Sequence, residues 1–250
     1  MTVATATALV AVLVAWVHSS PAPTAPATSS FTTVPATNTT VHSNTAVHAS
    51  TAVHSVNSAS APLRSSVAAS LRLNIHAAPV ALPLVVEIPS IGVHSHLLAV
   101  GMTASHAMAA PQGNGASSYW GDTFWYRGSA VPGAVGTATI AGHIDDVYGR
   151  YAVFGRLASL VKGERITIRN TKTGVAEHFK VTAVHEYSLA QSKTTKVLDL
   201  IYGLGPPQGR AAQPSRDGLA HLSLVSCVGT WVQSLKTHNG RLVVSAVRVR

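Results

Sequence analysis

The chain has one cysteine, Cys227, at the end of the apolar run Ser223-Leu224-Val225-Ser226-Cys227. Two other segments offer a thiol its chemical partners. Thr139-Ile140-Ala141-Gly142-His143-Ile144-Asp145 sets an imidazole just past a strand-like run, beside a glycine. Asn239-Gly240-Arg241-Leu242-Val243-Val244 brings a guanidinium into the last such run. His143 lies 84 positions before Cys227, and Arg241 lies 14 after it. Cleaving a peptide bond by thiol attack needs a thiolate, a proton donor for the departing amine, and positive charge or N–H groups on the developing oxyanion. Cys227, His143 and Arg241 supply one of each. Each also has an ordinary reading: a small core hydrophobe, one of 13 histidines, and a solvated strand cation. Titrating freely at about 8.5 and 6.5, the pair at pH 7 would be roughly 3% thiolate and roughly 24% imidazolium, with both together below about 1%. Coupling between the two groups would raise that fraction.

Such a trio must be held by rigid elements, and the surrounding pattern is strand-like. Leu84-Val85-Val86-Glu87-Ile88-Pro89 opens as a strand, and Ala138 to Gly142 leads into His143. Arg165 to Ile168 and Phe179 to Val184 flank the turn Asn170-Thr171-Lys172-Thr173-Gly174, which predicts a hairpin. His221 to Ser226 and Leu242 to Val249 are two further β-rich runs, ending at Cys227 and beginning after Arg241. Helical spacing is confined to Tyr151–Leu160 and Thr194–Tyr202. Short strands with Gly and Pro turns and one or two short helices predict a mainly β fold, a closed or nearly closed barrel.

Composition divides the chain into three. Val3 to Val17 is apolar apart from Thr5 and Thr7, which reads as a signal peptide or signal anchor over residues 1–18, although no Lys or Arg precedes it. Residues 19–81 are an Ala, Thr, Ser, Val, His and Pro tract with a decayed repeat at Thr40-Val41-His42, Thr45-Ala46-Val47-His48 and Thr51-Ala52-Val53-His54. Lacking large apolar side chains, it reads as a disordered spacer. No acidic residue precedes Glu87, and residues 82–250 carry the pattern of a folding domain, large enough to do without disulfide staples. A single cysteine permits no internal disulfide and no Cys-based zinc site. The net charge of +9 and pI near 10.1 suit an anionic neighbourhood. The basic residues are scattered singly, with no nucleic-acid-binding motif among them, which counts against nucleic acid as a partner. An anionic cell envelope, whether wall or membrane surface, fits the charge equally well, and charge alone does not choose.

The three chemical segments together resemble the sortases, the Gram-positive cell-wall transpeptidases. That family's signature is a His after a strand, a T-L-x-T-C strand, and an Arg in the final strand. Here the middle motif reads S-L-V-S-C, with Ser223 and Ser226 keeping the hydroxyls of both Thr positions. The likeness runs from about Pro83 to Val249. Glu87-Ile88-Pro89-Ser90-Ile91-Gly92-Val93 is similar to the family's opening strand, and Trp125-Tyr126-Arg127 with Pro132-Gly133-Ala134-Val135-Gly136 to the stretch before its A-G-H. Phe154-Gly155-Arg156-Leu157 and Lys162-Gly163-Glu164 resemble the segment that follows. The G-H-I-D form and a compact loop after Cys227 lean toward class F, with class E second. The long segment between Tyr187 and Ala220 departs from the pattern in a region that shapes substrate choice in the family.

The resemblance implies a barrel of about eight strands that recognises an L-P-x-T-G-like or L-A-x-T-G-like sorting signal on surface proteins. It implies cleavage between Thr and Gly, through a thioacyl enzyme, and transfer to an amine of peptidoglycan or another surface protein. Cys227 would be the nucleophile, His143 the acid and then base, Arg241 the oxyanion and substrate clamp, with Ser226 lining the oxyanion site. Neither cofactor nor metal is expected, and the protein is expected to be a monomer outside the cytoplasm, at the cell surface. Two other readings fit parts of the sequence. An L,D-transpeptidase would carry His, Gly, Cys and Arg together in a short S-x-G-C-x-R-like run, whereas here Val228 and Gly229 follow the Cys and no Arg comes before Lys236. A non-catalytic, basic wall-binding module would account for the charge and spacer but not for the His, Cys and Arg.

Overall fold

The computed structural model describes residues 78–103 and 107–249. The signal or anchor segment and nearly all of the spacer lie outside those residues. In the described part, period-two alternation builds a barrel. Strands β1 (Val80–Ile88), β2 (Val93–Val100), β3 (Thr123–Tyr126), β4 (Gly136–Ala141), β5 (Arg165–Asn170), β6 (Ala176–Ser188), β7 (Ala220–Val232) and β8 (Thr237–Val249) follow in chain order. Around the barrel the order is β1-β2-β3-β4-β7-β8-β6-β5, closed by β5 pairing with β1. Closure leaves no sheet edge to template aggregation.

Leu84, Val86, Ile88, Leu97, Trp125, Ile140, Ile166, Ile168, Phe179, Leu222, Leu224, Leu242 and Val244 point inward and form one buried cluster. Each such side chain contributes about 1.5–3 kcal/mol on leaving water. The hairpin between β5 and β6 turns at Asn170, whose Oδ1 accepts the backbone N–H groups of Lys172 and Thr173, and Gly174 takes the left-handed conformation there.

Two ladders are parallel, β2 with β3 and β4 with β7. A parallel pair needs a long crossover, and for β4 and β7 the chain from Gly142 to Leu219 provides it, carrying β5, β6 and an α-helix, α1 (Thr195–Tyr202). Helix α1 lies on the outer face of the sheet. Its Val197 and Ile201 pack on Val243, with Val225 and Tyr187 alongside, and Thr139 Oγ1 donates to the Ile201 carbonyl at 2.7 Å.

Three expectations change. Tyr151–Leu160 is not an α-helix. Gly155, Leu157 and Leu160 donate to carbonyls three residues back, giving successive turns and one 3-10 turn at Leu157–Ser159. Its apolar spacing serves to sink Phe154, Leu157 and Leu160 into the core from a loop. Cys227 does not end its strand, because β7 runs on to Val232 through an irregularity between Val228 and Trp231. Arg241 likewise lies inside β8, which begins at Thr237.

Candidate active site

Because side chains alternate, β7 divides its functional residues between two faces. Leu222, Leu224 and Ser226 point inward, while Val225 and Cys227 point to the outer face. In the β7–β8 ladder Cys227 stands directly opposite Arg241, just as Val225 stands opposite Val243. Tyr187 of β6 is the next partner beyond Arg241. On the other flank, β4 runs parallel to β7 with Ala141 beside Val225, and the Gly142 N–H donates to the Val225 carbonyl at 3.1 Å. His143 and Cys227 are each two residues further along. The three expected residues therefore come to one level of three neighbouring strands, and all three are half-buried. The thiol there is partly exposed and shares a rung with a cation.

His143 is fixed from several sides. Its Nε2 lies 2.8 Å from the Pro111 carbonyl, so Nε2 carries a hydrogen and donates. The rings of Trp120 and Phe124 hold the imidazole at centroid distances of 4.9 and 5.4 Å. Its own carbonyl accepts from the Phe154 N–H. Gly142 allows this approach, since a Cβ there would lie 2.5 Å from the Phe154 ring and 2.8 Å from Val153.

Arg241 is anchored by neutral acceptors alone among the described residues. Its guanidinium donates to the His238 carbonyl at 3.2 Å, the Gly240 carbonyl at 2.8 Å and Thr237 Oγ1 at 3.0 Å. Three of its five N–H groups are thus spent on the strand. Tyr202, at the end of α1, has its phenol pushed up to about 12 by burial, with Tyr126 adding to the rise and the Arg241 charge opposing it. It is a neutral hydroxyl at any physiological pH.

Ser226 is buried on the inward face, and its hydroxyl donates to the Gly142 carbonyl at 3.0 Å. That bond ties β7 to the residue before His143.

Sequence reasoning passed over Asp145 and His238. Asp145 was within the quoted G-H-I-D segment, but nothing in the sequence pairs it with a histidine 93 positions away. Here His238 is buried and its Nε2 lies 3.2 Å from Asp145 Oδ2. Among the described residues no group of three or more His, Cys, Asp or Glu side chains is placed to hold a metal. A cavity of about 290 Å³ lined by Asp199, Asp217, His221 and Ser245 lies elsewhere, at the level of His221, about 20 Å along β7 from Cys227.

The barrel thus brings a thiol, a guanidinium across the β7–β8 rung and an imidazole just past the end of β4 to one level. Residues 86–249 match the family model described as Sortase domain, and the chain belongs to the sortase family. It is a sortase-type transpeptidase. Solved structures similar to it include a lid mutant of sortase A from Corynebacterium diphtheriae, at 19% identity and TM-score 0.44, covering 67% of this chain and 69% of that one. The Clostridium perfringens sortase D5 transpeptidase matches at 17% identity and TM-score 0.42, over 67% and 78%. Sortase C-1 from Actinomyces oris matches at 16% identity and TM-score 0.44, over 67% and 73%. No curated protein matches the chain by sequence.

Proposed function

We propose that Cys227, His143 and Arg241 carry out transpeptidation on a sorting signal of the L-P-x-T-G or L-A-x-T-G type. The observation that carries the reading is the rung that sets Cys227 against Arg241, with His143 at the same level of the next strand. The Cys227 thiolate adds to the Thr carbonyl of the signal, and the carbonyl electron pair moves onto oxygen beside the Arg241 guanidinium. Collapse breaks the Thr–Gly bond. His143, as imidazolium, gives its proton to the departing amine and leaves a thioacyl enzyme. An amine of peptidoglycan or of another surface protein then adds to the thioester, His143 takes its proton, and Cys227 departs as thiolate. The cycle returns to its starting protonation state with no cofactor.

The same reading places the enzyme outside the cytoplasm at an anionic cell surface, as a monomer held or secreted by residues 1–18, with 19–81 as its spacer. The net charge of +9 supports that location. Among the described residues no helix is long and apolar enough to cross a membrane. Within the family we assign class F, with class E second, on the G-H-I-D segment and the short β7–β8 connection at Gln233–Leu235.

The test is cleavage of both reporter peptides by the parent protein, Cys227→Ala and His143→Ala, with intact-mass measurement of the enzyme during turnover. The parent is expected to cleave at least one peptide and to show the added mass of the acyl fragment. Both variants should lose turnover by at least about 1,000-fold, because neither group replaces the other's step. Equal turnover in Cys227→Ala would end the covalent mechanism. Failure of the parent on both peptides would end the assignment of the signal.

A further inference from the structure

The segment leaving β4 after His143 and the start of β8 before Arg241 belong to strands that do not touch, because β7 and its Cys227 lie between them. They are nevertheless joined. Asp145, two residues past His143, meets His238, three residues before Arg241, through Oδ2 and Nε2 at 3.2 Å. Whichever protonation state the imidazole takes, the nitrogen facing a carboxylate carries a hydrogen. The contact is built into the fold. The His238 side chain is 8% exposed and the Trp231 ring meets it edge-on at 5.4 Å. Asp145 is held in turn by a backbone bridge to Tyr151. The main chain completes the link, since the carbonyl of the same His238 accepts from the Arg241 guanidinium.

We propose that the Asp145–His238 pair is a positioning device for transpeptidation, a strut across the end of β7 that sets the spacing of His143 and Arg241 on either side of Cys227. This rests on the roles given to those three residues above. One residue, His238, contacts both halves: its imidazole reaches the His143 segment and its carbonyl holds the cation. The Pro111 carbonyl and the rings of Trp120 and Phe124 orient His143 alone, and Thr237 and Gly240 orient Arg241 alone. Loosening the strut lets the two move apart, and displacement near 1 Å at a reacting centre costs on the order of 100-fold in rate.

The experiment uses the full chain and four variants: Asp145→Ala, His238→Phe, His238→Gln and the double variant Asp145→Ala/His238→Phe. Phe keeps the ring volume and the Trp231 contact but has no donor. Gln places an amide N–H near the position of Nε2. Turnover of the reporter, the rate of Cys227 alkylation by iodoacetamide at pH 7, and thermal melting are measured for each, with His143→Ala as reference. Asp145→Ala and His238→Phe should each lower kcat by roughly 10- to 100-fold with KM changed by less than about threefold. Gln should restore kcat to within about fivefold of the parent. The double variant should be no slower than the slower single one, as residues acting as a unit behave. A role in folding alone would lower the melting temperature, leave kcat of the folded protein unchanged and show no rescue by Gln.

Parent-like kcat in Asp145→Ala or His238→Phe, or losses that multiply in the double variant, would overturn the strut. If His143→Ala abolishes turnover while the strut variants keep it, only the strut falls. If His143→Ala changes neither turnover nor alkylation of Cys227, the catalytic assignment falls and takes the strut with it.

Discussion

Arg169 and Arg241 both sit within strands of the same barrel, on different walls, and they are held in different ways. Arg169 of β5 faces Glu87 of β1 and makes two hydrogen bonds to its carboxylate, at 3.2 and 3.1 Å. The carboxylate cancels the charge, and the guanidinium bonds hold Glu87 below its ordinary carboxylate value against the opposing effect of burial. Arg241 of β8 is held as firmly, but by two carbonyls and a hydroxyl. Neutral acceptors fix the geometry of a cation without cancelling its field. The first arrangement fastens two strands together. The second leaves a positive charge without a carboxylate, among the described residues, on the rung that carries Cys227, as the proposed role of Arg241 requires.

That contrast is broken most directly by exchanging Arg for Lys at each place. At Arg241 the change should be nearly as damaging as Arg241→Ala. Lys keeps the charge but offers no planar fork to share between strand carbonyls and a substrate oxygen. Loss of one oxyanion donor costs about 100- to 1,000-fold in rate, roughly 3–4 kcal/mol. Both variants should keep Cys227 open to alkylation and melt within a few degrees of the parent. Retention of more than about a third of parent turnover by Arg241→Lys would make Arg241 an ordinary strand cation.

A third arginine sharpens the comparison. Arg127 is buried, with its guanidinium lowered from its ordinary value by that burial, and its NH2 group donates to the carbonyls of Ala78 and Ala99. Ala78 lies just before β1, whose first rungs are Val80 with Ala99 and Ala81 with Leu98. A truncation that starts at Leu82, where composition alone sets the domain boundary, removes the Ala78 acceptor and both rungs. We expect residues 78–250 to fold without the preceding segment and residues 82–250 to melt roughly 5 °C lower. A hydrogen bond to a charged group contributes about 1.5–3 kcal/mol, and each kcal/mol moves the midpoint of a domain this size by about 2–4 °C. Equal melting of the two truncations would show that the carbonyl at Ala78 does not hold Arg127.

The fold was largely legible because the barrel strands carry their own period. β4, β5 and the start of β7 were visible as β-branched runs, and Asn170 to Gly174 carried the chemistry of its turn. Cys227, His143 and Arg241 were singled out through resemblance, since each alone has an ordinary reading, and the strand register brings them to one level. What escaped was set by cross-strand geometry. The extensions of β6, β7 and β8 to 13 residues each include Thr, His, Trp and Gly positions that read as loop until the partner strand is present. Ser226 adjoins Cys227 in sequence, but alternation along β7 buries it on the inward face, where it bonds to the Gly142 carbonyl. Asp145 and His238 meet only after β4 and β8 have both been placed around β7. The Tyr151–Leu160 segment misled because three-residue spacing of apolar side chains suits consecutive turns as well as a helix.

The smallest effects are expected at Arg169, and they serve as the control for Arg241. Arg169→Lys keeps an opposite charge beside Glu87 on a surface open to solvent, where an ion pair contributes little. Turnover should stay within about twofold of the parent, and the melting temperature within roughly 2 °C. Glu87→Gln should be similarly mild near neutral pH, and its effect carries a sign that can be checked. Glu87 titrates lower in the folded protein than in the unfolded chain, so its ionised form favours folding at pH values above the unfolded carboxylate range. As the pH falls through the depressed folded value, Glu87 protonates in both states and that advantage vanishes. The difference in melting temperature between the parent and Glu87→Gln should therefore be present at pH 7 and shrink on acidification below the ordinary carboxylate range. A difference that grew on acidification would reverse the sign assigned to the pair. A large loss of turnover in Arg169→Lys would remove the contrast itself, because a neutralised cation on the far wall would then matter to the chemistry as much as the unneutralised one beside Cys227.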